Sequence, residues 1–379
     1  SFIVRQCLNQ IGHDLISCKL IHINNSFILD ETKNYDKLII ENDISSSIIE
    51  EEVKIPDFIK EFLPLTEKDS TCPKIEMGDH CKKPYECNYQ DRCKALLPKD
   101  KITSYTILPY VDKNLKSYMD ENKFTDLQDV PDNYTLKRKG YKNNIYQIIK
   151  DAHKNNKDWI SHELKKKFND FAFPFYFMDF ETIAQGVPII KGTKPYEQVP
   201  FQWSVHKLSE KGNDLEEFSF IDFADQDIEF NFLKKLIDTL GDKGTIFVHN
   251  HPFEKGVLKK LKEKPKMKSY SDQVDNIIDR IEDTLELTRK NFYSPEMFGK
   301  YSLKKIVKAI PTEISYESED EDAVSDGGDA QLAWFKCTDL ETKSEEKENI
   351  KKELIKYCSK DTYAMYDLVN YFFNLKIKR

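Results

Sequence analysis

The alternation of apolar and polar positions changes character near residue 171. Phe175-Tyr176-Phe177-Met178-Asp179-Phe180 is a dense apolar run that predicts a buried strand. Phe201-Gln202-Trp203-Ser204-Val205-His206 alternates as a half-buried strand does, and Phe218-Ser219-Phe220-Ile221 and Thr245 to His249 predict two more. Helical spacing marks Ile228 to Leu240 and Lys351 to Phe373. Strands first, with helices interleaved later, predict an α/β domain with a mixed sheet. Upstream, the first 65 residues or so predict a small mixed α/β piece. It has a short helix from Gln6 to Ile11 ended by Gly12, and strands Leu20–Ile23 and Ser26–Leu29 about an Asn24-Asn25 turn. Ile44 to Phe62 is partly helical, with Pro56 as a break or fresh start. Cys72 to Cys93 has too little periodicity for a helix, whereas Lys94 to Asp170 is expected to be helical.

Composition narrows the classes. At 379 residues the chain is long enough for two or three domains of roughly 150 residues, and an aromatic content of 12% excludes wholesale disorder. No uncharged apolar run approaches the roughly 18 residues a membrane span needs, and the mean hydropathy of -0.64 agrees. The formal charge of -8 excludes a generally basic nucleic-acid coat but not a nuclease with local basic patches. Such a patch is expected from 94 to 170, where sixteen Lys and Arg face eleven Asp and Glu. Lys137-Arg138-Lys139 and Lys165-Lys166-Lys167 are its densest points, with Tyr134, Tyr141, Tyr146 and Trp159 nearby. Basic and aromatic side chains interleaved in this way could carry a single strand, but a solvated helical surface with ordinary core aromatics is the favoured reading. The acidic run Glu317 to Asp322 reads as a mobile surface loop. No secretory pattern opens the numbered sequence, so the eight cysteines are expected as thiols or metal ligands in the cytoplasm. The start at Ser1 fits a fragment of a longer chain.

Three short motifs carry candidate chemistry. Asp179-Phe180-Glu181 closes the most apolar strand, and alternation puts both acids on one face with Phe180 on the other. Two such carboxylates repel each other, a cost that a divalent cation offsets; by itself the tripeptide is equally an exposed strand end. Asn250-His251-Pro252-Phe253-Glu254 sets another acid at a strand-to-helix junction, where an ordinary first-turn acid is also at home. Within the C-terminal helix, Tyr357 and Asp361 are four residues apart and share a face. Ile281 to Leu285, with Asp283, reads as ordinary strand or helix rather than a further ligand site.

Taken in order, acid-x-acid, Asn-x-x-Phe-acid and Tyr-x-x-x-Asp resemble the DEDD exonuclease superfamily in its tyrosine-bearing branch. That resemblance implies a ribonuclease H-like mixed sheet flanked by helices. It also implies two ions, Mg2+ or Mn2+, held by Asp179, Glu181, Glu254 and Asp361, with Tyr357 orienting the attacking water. The family usually has Asp where this chain has Glu254. Phe177 to Thr182, Pro195 to Gln202, Tyr301 to Lys304 and Tyr357 to Thr362 further resemble the bacterial domain-of-unknown-function family numbered 2779 over about 170 to 379. This implies that Pro195 to Gln202 and His206 shape a groove beside the first strand.

Cys72, Cys81, Cys87 and Cys93 fall within 22 residues, a density that suits thiolate binding of zinc or an iron–sulfur cluster, although no Cys-x-x-Cys knuckle is present. Gly78 to Cys81, Pro84 to Cys87 and Cys93 are similar to the cysteine motif of RecB-like nucleases that carry a [4Fe–4S] cluster. In that family the nuclease acids would precede residue 1. The expected layout is therefore an incomplete RecB-like module at 1–98 without nuclease activity, a helical basic linker at 99–170, and a ribonuclease H-like domain at 171–379. The expected function is a metal-dependent 3′–5′ exonuclease on DNA or RNA, single-stranded or with a free 3′ end. The rival is a catalytically inactive nucleic-acid-binding or scaffold protein with a thiolate–metal cluster; a thiolate-metal sensor is a third reading.

Overall fold

The computed structural model describes residues 2–75, 77–81, 83, 85–98, 101–102, 113–134, 145–224, 226–316 and 327–375. The chain divides into two compact units, 1–95 with 185–197, and 96–184 with 198–379. Among the described residues no helix is long and apolar enough to cross a membrane. Lys137-Arg138-Lys139, Tyr141, and the acidic run from Glu317 lie outside the described residues.

The first unit opens with helix α1 (Phe2–Gln10), followed by an antiparallel pair, β1 (Lys19–Ile23) and β2 (Ile39–Asp43), in the register His22↔Ile40. The expected second strand at Ser26–Leu29 does not form. Phe27 and Leu29 instead turn inward with Leu38 as a small buried cluster, and the Leu29 backbone bonds Gly192 and Thr193. Its alternation of apolar residues thus serves a buried loop rather than a sheet. Helices Ser45–Glu52 and Ile55–Phe62 follow, the second with Pro56 in its first turn, where a missing N–H costs nothing. The cysteine stretch contains a short helix the periodicity did not reveal, Gln90–Ala95.

The second unit is built on a five-stranded mixed sheet. Its strands are β3 (Phe175–Ile183), β4 (Val199–Leu208), β5 (Leu215–Ile221), β6 (Thr245–Val248) and β7 (Ile281–Asp283), in the spatial order β5-β4-β3-β6-β7. β3, β4 and β5 pair antiparallel, while β6 runs parallel to β3, and β7 to β6. All four strands expected from the pattern are present; β7, three residues long, was too short to register as a separate period.

Alternation along β3 divides the core. Tyr176, Met178 and Phe180 face one layer with helices α2 (Ile228–Leu240), α3 (Pro252–Glu263) and α4 (Ser271–Asp279). Phe175 and Phe177 face the opposite layer, which includes Met365, Leu368 and Phe372 of the long helix α7 (Ser344–Asn374). Between these helices in sequence lie α5 (Thr284–Asn291) and α6 (Gly327–Thr338). The segment expected as a linker shares this second core: Leu115, Met119, Ile149, Leu164 and Phe168 are buried with Phe175 and Phe247.

Candidate functional site

Strand alternation continues the face of Phe175 and Phe177 into Asp179 and Glu181, so both acids look toward α7. Opposite them on β4 stand Ser204 and Gln202, and His206 faces Phe177. These three fasten α7. Gln202 Nε2 donates to the Leu354 carbonyl at 2.7 Å, and the Thr362 hydroxyl lies 2.9 Å from Ser204 Oγ and 2.8 Å from His206 Nδ1. Thr362 follows Asp361 directly, so this buried polar clamp sets the height and rotation of the turn that carries Tyr357 and Asp361. Burial also lowers the His206 pKa, keeping the imidazole neutral for the contact.

The acids are linked through Asp179, and Glu181 through Tyr357. Asp179 is pushed up to about 8, first by burial and then by the charge of Asp361. Glu254 lies in the first turn of α3, is 2% exposed, and is held well above the carboxylate range by burial, then by Asp179 and Asp283. One of its oxygens, Oε2, is buried with no hydrogen-bond partner among the described residues. Asp361 is raised by burial, against the pull of a 2.7 Å hydrogen bond from the Tyr316 hydroxyl and the ammonium groups of Lys304 and Lys360. Glu181, 8% exposed, raises the Tyr357 phenol after burial itself, together with Asp361 and Asp179. Gly327, opening α6, sits against Glu181, where an added Cβ would lie 3.7 Å from Oε2.

The structure brings the five residues expected from the resemblance into one electrostatic neighbourhood, and tertiary packing adds two side chains to it. Tyr316 comes from a segment with no motif around it. Cys358, fully buried, brings its sulfur within 3.7 Å of Asp179 Oδ2 and of the Asp179 carbonyl. Burial and the three acids around it keep its thiol protonated. The only signal for it was its place between Tyr357 and Asp361 on the same helix.

Asp283 has a different task. Burial alone would raise it, but His251 Nδ1 at 2.7 Å and the backbone N–H groups of Asn250 and Leu285 outweigh that and lower it. It caps α5 and ties down the loop that delivers Glu254, as befits strand-end chemistry rather than a ligand.

A hard divalent cation suits this donor set: carboxyl oxygens crowded together in a buried place where their charged forms are disfavoured, and an unpartnered Glu254 oxygen. As the side chains stand, no three Asp, Glu, His or Cys among the described residues form a closed metal cage. The same holds for the cysteine stretch. Cys81 is buried, Cys87 and Cys93 are partly exposed, Cys72 is exposed, and all four are free thiols. Around Cys81 the backbone is well ordered by hydrogen bonds, since Gln90 Nε2 and the Cys87 N–H both donate to its carbonyl.

Residues 176–302 match a family described as a domain of unknown function (DUF2779). The chain is also similar to an uncharacterized protein of Mycoplasma genitalium, MG366, at 25% identity over 224 residues. That match takes in 55% of this chain and 33% of the relative, so it spans about a third of the relative's length. No solved structure matches the chain.

Proposed function

We propose that the second unit is a metal-dependent 3′–5′ exonuclease that hydrolyses terminal phosphodiesters of DNA or RNA, on a ribonuclease H-like fold. The observation that carries this reading is the crowding of buried carboxyl groups, with Asp179 raised by burial and Asp361, Glu254 raised by burial and Asp179, Tyr357 beside Glu181, Asp361 and Asp179, and a buried Glu254 oxygen left unpartnered. Such an arrangement is costly for a protein that never binds a cation there. A mixed sheet in which β3 pairs antiparallel with β4 on one side and parallel with β6 on the other supports the reading at the level of a mixed α/β architecture.

Asp179, Glu181, Glu254 and Asp361 would hold the ions. When bound, these activate a water and stabilise the leaving oxygen. The chain's own groups do the rest. Tyr357 stays a phenol at neutral pH because burial and three acids oppose its ionisation, so its O–H is available to hold the water. Tyr316 fixes one oxygen of Asp361 and leaves the other to coordinate. Cys358, at the back of Asp179, excludes water from that side. The longer side chain of Glu254 starts from a helix first turn, which sets its backbone by the geometry of α3 rather than of a strand.

For the first unit, the proposal is an incomplete RecB-like module whose cysteines take iron–sulfur or zinc. Incubating labelled single strands with Mg2+ or Mn2+ tests the enzymatic reading. Shortening from the 3′ end that Asp179→Ala abolishes is expected; no shortening, or shortening indifferent to that change, rejects it.

A further inference from the structure

Beside the carboxylate cluster, the exposed side of α7 forms one wall of a groove of about 700 Å3, lined among others by Lys352, Lys356, Lys360, Tyr363, His206 and Glu217. We propose that this groove binds a single-stranded nucleic acid by its phosphates and delivers it to the Asp361 end of the site. The direction of delivery rests on the exonuclease reading; the binding does not.

The three lysines are four residues apart, so they form one row along the helix with about 6 Å of rise between successive ammonium-bearing positions. Lys352 and Lys356 are exposed, and Lys356 has only a loose approach of 4.0 Å to Glu353. The one acid in the lining, Glu217, is already engaged by the Ser359 hydroxyl at 2.6 Å. A row of cations is thus maintained in a chain whose formal charge is -8, which is the charge pattern a polyanion selects.

Tyr363 supplies the second half of the argument. It is 39% exposed, yet its ring is braced edge-on by His206 at 5.6 Å and by Tyr366 at 5.6 Å. A braced, half-open phenol beside a cation row gives a base something to stack on at little entropic cost. An acidic peptide would satisfy the lysines but leave this ring unused, and a single row on one helix follows one strand rather than two. Lys360 joins groove to site: its ammonium lies 5.0 Å from the Tyr316 ring, whose hydroxyl holds Asp361.

The test is a fluorescence-anisotropy titration of labelled oligothymidylate with the whole chain in EDTA, across a range of salt. For single strands each phosphate contact adds about 0.7 to the log–log salt slope, so Lys352→Gln with Lys356→Gln should flatten it by about 1.4. At 0.1 M salt that corresponds to roughly 25-fold weaker binding, relative to an intercept at 1 M. The matching double change to Arg should keep wild-type affinity, and Tyr363→Ala should cost about tenfold. Thermal melts of each variant confirm that the fold is intact. An unchanged slope in the Gln variant overturns the proposal, as does equal, lysine-dependent binding of duplex DNA or of polyglutamate. Cleavage with manganese is read separately. Lysine-dependent binding without any cleavage leaves the groove standing and removes the exonuclease reading. Cleavage by wild type and Gln variant alike, at equal affinity, does the reverse.

Discussion

Replacing Asp179 with asparagine should make the metal-free protein more stable while removing its activity. The carboxyl is held up to about 8 against an ordinary value of 3.8. Between those values the unfolded chain has released a proton that the fold retains. The stability contributed by the protonated form is therefore complete below about pH 4 and drains away as pH rises toward 8. At about 1.4 kcal/mol per pH unit, the upper bound at pH 7 is about 4 kcal/mol. Asp179 keeps some access to water, and part of its shift comes from the charge of Asp361 rather than from its own burial, which brings the expected gain on substitution to about 1–2 kcal/mol, or a few degrees in melting temperature.

The assay is calorimetry of both proteins in EDTA at pH 5 and pH 8.5, then with manganese. At pH 5 the two should melt within about a degree of each other. At pH 8.5 the variant should melt higher, because amide and carboxylate now differ by a charge. Manganese at a hundredfold excess over its Kd should raise the wild type by about 2.7 kcal/mol and the variant by much less. A variant destabilised equally at both pH values, with no manganese response in the wild type, would refute the argument that this cluster is a cation site under electrostatic strain.

Other expectations follow from single contacts. Tyr357→Phe should leave stability within about 1 kcal/mol and lower manganese-dependent turnover by about 10²-fold, since only the orientation of water is lost; single-turnover kinetics read this. Tyr316→Phe removes the bond to Asp361, and should cost about 1.5–3 kcal/mol at pH 8 and less at pH 4, where the acid is protonated, as measured by urea unfolding. Gly244→Ala should be among the more damaging changes at a loop position, about 3 kcal/mol. Its φ is +92°, and a Cβ there would overlap the Pro174 carbonyl oxygen, which denaturation and expression yield would show. Anaerobically purified protein should carry iron or zinc bound through Cys72, Cys81, Cys87 and Cys93; metal analysis finding neither removes the thiolate-cluster proposal.

Local patterning was enough to locate β3, β4, β5, β6 and α7, because each has a period that its own residues impose. It was also enough to put Asp179 with Glu181 and Tyr357 with Asp361, since each pair shares one face of one element. Where the pattern misled, at Ser26–Leu29, the alternating apolar residues were real but their partner was a distant loop, Gly192 and Thr193, that no local period announces. The assignment of 185–197 to the first unit, and of 96–170 to the second, is likewise a matter of who packs with whom.

The sequence by itself determined the sheet-forming segments, the helical face of Tyr357 and Asp361, and the excess of buried-strand acid at Asp179 and Glu181. Only the tertiary structure decided that Glu254 is drawn in from α3, that Tyr316 and Cys358 complete the surroundings, and that Ser204, His206 and Thr362 lock α7 in place. The physical reason is range. Side-chain direction along a helix or strand is fixed by neighbours a few residues away, whereas desolvation and charge coupling arise between groups that meet only after the sheet is assembled and α7 has packed across it.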